Sequence, residues 1–174
     1  VGTTGSIQES IHLGDVIINK ASVRMDGASK NYAPVEYPGI ADLETTMELK
    51  QAAAELGISC HMGISVSTDS FWPGQERYDS FGGYVLRRLQ GSMDEFRHLG
   101  CTNYEMENAT LFTVTSVLGL KASSICGVVA QRTSGEAVAS KDVYLQAEEK
   151  FQKIVRKMIE NRSNAGENRL KGAD

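Results

Sequence analysis

Cys60-His61-Met62-Gly63-Ile64-Ser65-Val66-Ser67 alternates residue by residue. Cys60, Met62, Ile64 and Val66 fall on one side, and His61, Gly63, Ser65 and Ser67 on the other. A period of two marks a β-strand. The segment before it has another period. Leu49, Ala52, Ala53 and Leu56 recur at i, i+3, i+4 and i+7. That makes one helix face, which Asp42 can cap at the start and Gly57 can end. A helix feeding into a strand is the building unit of α/β domains. Outward from this pair, the β-branched run from Val16 to Val23 follows Gly14-Asp15 and reads as a strand. Ser123 to Ala130 reads as a buried strand, and residues 102–107 as a short strand end. Ser92-Met93-Asp94-Glu95 is a capping-box pattern opening a short helix that Gly100 ends. Leu111, Val114 and Leu118 form a helix face before Gly119, and Ala147, Phe151, Ile154, Val155 and Met158 form another. Residues 26–39 and 133–140 read as loops. Strands alternating with helices predict an α/β fold with a mainly parallel sheet: one domain over residues 1–162, then a polar, frayed tail over 163–174.

The bulk properties agree with a single globular domain. The chain has 174 residues, 41% hydrophobic and 23% charged, enough to bury a core. Its net charge of -4 lacks the basic footprint of a nucleic-acid or anionic-membrane binder. No apolar run approaches the roughly 20 residues of a membrane helix. Cys60, Cys101 and Cys126 are odd in number with no CxxC pair, as expected of reduced, buried thiols in a cytoplasmic protein. His12, His61 and His98 have no zinc-like spacing, and His61 and Cys60 point to opposite faces. GxSxG, HExxH and a full Walker loop are absent, so serine and metal hydrolysis lack support.

Four polar segments could carry chemistry, since ligands of α/β sheets gather at strand ends. Gly2-Thr3-Thr4-Gly5 is expected to be a turn inside a fold that extends upstream, its N–H groups a nest for phosphate. Tyr104-Glu105-Met106-Glu107 puts two carboxylates two residues apart, on one side if the strand continues, where they could hold a polyol. Phe71, Gln75 and Arg77 offer an aromatic face, an amide and a guanidinium within seven residues. These groups can stack on and hydrogen-bond a base, although a packed Phe and a surface Arg are the commoner meaning of such a loop. Gln131 to Gly135 is the fourth segment.

Read together, these stretches resemble the bacterial uridine phosphorylases, the pyrimidine branch of the nucleoside phosphorylase superfamily. The likeness is carried by Gly2-Thr3-Thr4-Gly5, Ser22-Val23-Arg24-Met25-Asp26-Gly27-Ala28-Ser29, Ala33-Pro34-Val35-Glu36-Tyr37-Pro38, Phe71-Trp72-Pro73-Gly74-Gln75-Glu76-Arg77-Tyr78-Asp79, Gly91-Ser92-Met93, Asn103-Tyr104-Glu105-Met106-Glu107 and Gln131-Arg132-Thr133. Trp72 departs from the family's tyrosine. The resemblance implies a central mixed sheet, partly closed into a barrel and flanked by helices. It implies reversible conversion of uridine and phosphate to uracil and ribose 1-phosphate, with phosphate a substrate and no metal or other cofactor. By the same resemblance Thr3 touches phosphate and sugar, Phe71 packs on the base, and Gln75 and Arg77 bind the uracil edge. Glu105 lines the pocket, Met106 and Glu107 hold the ribose, Arg132 supports Arg77, and residues 133–140 form a mobile lid. The family's N-terminal third, with a Gly-rich phosphate loop, an arginine and a histidine reaching a neighbouring subunit, is expected upstream of Val1. So are strands to pair with Val16 to Met25. A homohexamer of dimers is also implied.

Two other readings stay open here. One is a purine phosphorylase or nucleosidase of the same superfamily, disfavoured because Ala130-Gln131-Arg132 holds no acid where purine enzymes carry one to protonate N7. The other is a nucleoside-binding relative without turnover.

Overall fold

The computed structural model describes residues 1–171. Its strands are β1 (Gly2–Ser6), β2 (Val16–Met25), β3 (Gly39–Ile40), β4 (His61–Thr68), β5 (Asn103–Glu105), β6 (Ser124–Gln131) and β7 (Ala137–Val138). Its helices are α1 (Leu43–Glu55), α2 (Ser92–His98), α3 (Asn108–Val117) and α4 (Lys141–Lys171). The strands form one sheet in the order β3-β2-β4-β5-β1-β6-β7, and β2 also pairs with β6. That extra pairing closes β2, β4, β5, β1 and β6 into a five-stranded barrel.

The sheet is mixed, not mainly parallel as the alternation alone predicts. β2–β4, β4–β5 and β1–β6 are parallel, whereas β1–β5 and β2–β6 are antiparallel. The ring thus holds two groups of opposite direction. Val16 to Met25 finds partners within this chain as well: β2 is paired with β3, β4 and β6.

Apolar faces place the helices. Leu49, Ala52 and Ala53 of α1 and Phe151 and Ile154 of α4 pack on Val16, Ile18 and Ile125 of the barrel. Asp42 caps α1, accepting from the Thr45 N–H at 2.8 Å, and Gly57 at φ 67 ends it, as the sequence predicts. α4 continues through Lys171, past the expected fraying point, because Arg162 is tied to Glu48 and Thr45 and Asn161 to Glu55. Residues 172–174 of the proposed tail lie outside the described residues. The α3 face is reversed. Asn108, Ala109, Phe112 and Thr113 are buried, while Leu111 and Leu118 are exposed. Burying Asn108 against Ser65 Oγ at 3.1 Å decides which side faces the barrel.

Residues 26–39 are more ordered than a plain loop. The buried Arg24 guanidinium donates to the carbonyls of Ser29, Ala33, Pro34 and Tyr37, drawing the segment around itself. Asp26 accepts from Thr110 Oγ1 at 2.6 Å and ties it to α3. Cys101 and Cys126 are buried as expected, but Cys60 is only half-buried; none of the three forms a disulfide. No helix among the described residues is long and apolar enough to cross a membrane.

Candidate active site

A cavity of about 580 Å³ opens beside β1, and Thr3, Phe71, Gln75, Arg77, Glu105, Met106 and Glu107 all line it. The residues gather because β1 runs along its length. Gly5 lies opposite Tyr104 and beside Arg77, and the antiparallel register with β5 directs the Gly2 end of β1, paired with Cys126, toward the segment that follows Glu105. Three strand steps separate these ends by about 10 Å. Gly2 to Gly5 is therefore a strand, not the turn expected from its glycines. Its N–H groups are drawn toward ladder pairing instead of converging as a nest. Pleating turns Thr3 outward and Thr4 inward. Thr4 Oγ1 is committed to the Tyr104 carbonyl at 2.6 Å and to Asn103, leaving Thr3 as the hydroxyl available to a ligand.

At one end of the cavity the expected carboxylate pair separates into two roles. β5 stops at Glu105, so Glu107 does not share its face. Glu105 is buried. Its Oε1 accepts from the Ser67 and Ser22 hydroxyls, and its Oε2 from the N–H groups of Glu107 at 2.8 Å and Asn108 at 2.6 Å. That bonding caps the start of α3 and leaves little capacity for a sugar. Glu107, exposed at the helix entrance, carries the free carboxylate beside half-buried Met106.

The other end is built by a turn. Residues 73–76 form it, so Gln75 and Arg77 do not lie on an extended segment as the sequence suggests. Glu76 between them has φ 54, unusual for a residue with a Cβ. Its carboxylate accepts from the N–H groups of Gly91 at 2.5 Å and Met93 at 2.8 Å. It thereby replaces the expected Ser92 cap: Gly91 is the N-cap, and Ser92 is already helical. With Glu76 turned away, Gln75 and Arg77 are both buried toward the cavity. Arg77 Nη1 donates to Gln75 Oε1 at 2.5 Å and to the Phe71 carbonyl at 3.0 Å, and its guanidinium lies 3.8 Å from the Phe71 ring centre. The amide of Gln75 is thus oriented, with its NH₂ group free to donate.

Arg132 does not line this cavity. It lines a neighbouring cleft of about 440 Å³. The two arginines meet through a residue the sequence reading missed. Glu136 accepts from Arg77 Nε at 2.9 Å and Nη2 at 2.7 Å, and lies 3.5 Å from Arg132 Nε. Ala130-Gln131-Arg132 itself holds no acid, but Glu136 brings one to Arg132 from four residues on. The hydrogen bond from Arg77 holds the Glu136 carboxyl below the ordinary carboxylate range, so it is an anion and a poor acid. Its only local signal is a spacing of four from Arg132; its 59-residue separation from Arg77 leaves no trace in the sequence. The segment 133–140 is not all loop, since β7 pairs Ala137 with Gln131 and Val138 with Ala130.

No group of three His, Cys, Asp or Glu residues that could hold a metal occurs among the described residues. Cys126 lines the cavity, but burial pushes its thiol up to about 11, so it is protonated and a weak nucleophile. The cavity therefore presents a carboxylate and a hydroxyl at one end and an amide, a guanidinium and an aromatic ring at the other.

Residues 1–160 match the family model described as "Phosphorylase superfamily". The chain belongs to the phosphorylase superfamily. It is 46% identical over 155 residues to the uridine phosphorylase of Escherichia coli K12, covering 89% of this chain and 61% of that protein. It is 44% identical over 168 residues to the uridine phosphorylase of Thermococcus kodakarensis, covering 95% of this chain and 60% of that protein. A guanosine phosphorylase of Halorubrum lacusprofundi is 30% identical over 134 residues, 77% of this chain and 50% of that protein. The chain thus spans about three fifths of the length of the uridine phosphorylases it matches. The mixed sheet closing into a barrel, with helices around it, agrees with the architecture implied by the resemblance.

Proposed function

We propose that this chain is part of an enzyme that reversibly converts uridine and phosphate to uracil and ribose 1-phosphate. The observation that carries the reading is one cavity lined both by the Phe71, Gln75 and Arg77 group beside Gly5 and by Glu107 beyond the end of β5. The uridine phosphorylases among its relatives support the same chemistry. In this reading phosphate attacks C1′, so no protein nucleophile is required, and uracil leaves as an anion. Catalysis then consists of holding the partners in line and stabilising the charge that leaves. Gln75 pairs with the uracil edge, Arg77 donates to its oxygen, and Phe71 packs on the ring. Met106 and Glu107 hold the ribose, Thr3 contacts phosphate and sugar, and Glu105 fixes the local backbone. Arg132 supports Arg77 through Glu136. No metal or organic cofactor takes part.

A purine reading draws on the guanosine phosphorylase relative and on a carboxylate in the pocket. We disfavour it because Glu136, held as an anion by Arg77, is unsuited to protonating purine N7. We further infer a cytoplasmic role in pyrimidine nucleoside salvage and a homohexamer of dimers. The exposed Leu43, Leu118 and Leu120 support burial against another subunit. The test is uracil release from uridine by the full-length protein, with and without phosphate. Release only with phosphate is expected, and equal release without it identifies a hydrolase instead.

A further inference from the structure

Two guanidiniums and one carboxylate meet beside the cavity, and their charges do not cancel. The Arg77 and Arg132 side chains are 3% and 5% exposed, whereas Glu136 is 29% exposed. Neighbouring acids are directed elsewhere: Glu76 to the start of α2, and Asp94 to Arg97 at 2.6 Å. The two guanidiniums and Glu136 by themselves carry one excess positive charge, with both guanidiniums largely shielded from water.

The hydrogen bonds show the same imbalance. Arg77 commits Nε and one Nη2 hydrogen to Glu136 and both Nη1 hydrogens to Gln75 and Phe71, leaving one Nη2 hydrogen. Arg132 Nη1 is buried with no hydrogen-bond partner among the described residues. Buried donors of this kind are costly unless something accepts from them. Glu136 fills one side of the Arg77 fork and joins Arg132 to the same group.

We propose that Glu136 is a specificity-determining counter-charge that lowers the Arg77–Arg132 pair at the base end of the pocket from two positive charges to one. It thereby matches the pocket to a pyrimidine that is neutral when bound and anionic when it departs. The inference rests on the base-site reading above. With one excess charge, the base end becomes neutral only as the leaving base takes its electron pair. Without Glu136, two guanidiniums lacking a counter-charge favour a pyrimidine that is already anionic, and discrimination moves from the departing state to the ground state. Glu136 acts through Arg77 and Arg132, so its effect is one of charge.

The experiment compares binding of uracil with that of 5-nitrouracil, whose ring proton is acidic enough for it to bind as an anion at neutral pH. Full-length wild type, Glu136→Gln and Glu136→Asp are measured by calorimetry. For Glu136→Gln, the preference for 5-nitrouracil over uracil is expected to rise about tenfold. Glu136→Asp retains the charge and is expected to keep the wild-type ratio. If wild type binds uracil but Glu136→Gln leaves the ratio unchanged or weakens both ligands equally, Glu136 is only a structural tether and the inference fails. An equal rise for Glu136→Asp assigns the effect to side-chain length and also overturns it. Failure of wild type to bind uracil at all refutes the base-site reading itself.

Discussion

The carboxylate of Glu76 accepts a 2.8 Å hydrogen bond from the backbone N–H of Met93, joining the turn that carries Gln75 and Arg77 to the first turn of α2. Two burdens meet at Glu76: a left-handed backbone and the capping of another element. Gln75 and Arg77 can face the cavity together because the residue between them is held outward.

Removing that tether should loosen both neighbours. Glu76→Ala loses an N-terminal cap worth about 1 kcal/mol. It is expected to raise the Michaelis constant for uridine and narrow the preference for uridine over cytidine. Steady-state kinetics with both nucleosides, beside a thermal melt, separates loosened recognition from simple destabilisation.

Glu107 carries the free carboxylate, while Glu105 is fully engaged. A hydrogen bond from a ribose hydroxyl to a charged group is worth about 1.5–3 kcal/mol. Glu107→Ala should raise the Michaelis constant for uridine at least about tenfold and narrow the gap to deoxyuridine. Glu105→Ala should chiefly lower the melting temperature, since it uncaps α3. Kinetics and melting curves on both variants check the division.

Arg77 should govern base choice. Cytosine places an amino donor where uracil has O4, so the Arg77 guanidinium meets a donor where it needs an acceptor. Sites built on hydrogen bonds reject such analogues by roughly 10⁴-fold. Uridine should be cleaved far faster than cytidine, with little action on inosine. Arg77→Ala should cut turnover, because its bond strengthens as the uracil anion forms. Parallel assays of the three nucleosides decide this; inosine cleaved as fast as uridine would refute the assignment.

Asp26 gives a pH prediction for the fold. Burial opposes its ionisation, yet hydrogen bonds from the Ser29 hydroxyl, Thr110 and the Ser29 N–H outweigh burial and hold its carboxyl below the ordinary range. A depressed folded pKa contributes stability above the unfolded value of about 3.9, lost as pH falls through the folded value. Asp26→Asn should lower stability at neutral pH and flatten its decline below about pH 4. Denaturant melts from pH 7 to pH 3 measure both effects.

Much of the fold was legible in local pattern. The period of two at Cys60 to Ser67, the helical period at Leu49 to Leu56 and the Asp42 cap depend on neighbours a few residues apart, and each reappears in place. The motif around Phe71 to Asp79 likewise disclosed the family, because its residues are contiguous.

Long-range pairing was not legible there. Gly2-Thr3-Thr4-Gly5 has the composition of a turn and becomes a strand because β5 and β6 supply ladder partners about a hundred residues away. Glu105 and Glu107 look alike in sequence. They part only because Ser22, Ser67 and the start of α3 converge on one of them. Glu136 is drawn to Arg77 by barrel closure and the β7 pairing, across 59 residues of chain. The sequence by itself determined the local elements and the chemical groups available. Only the tertiary structure decided which groups are spent on the fold and which face the cavity, because burial and hydrogen-bond satisfaction belong to residues brought together in space.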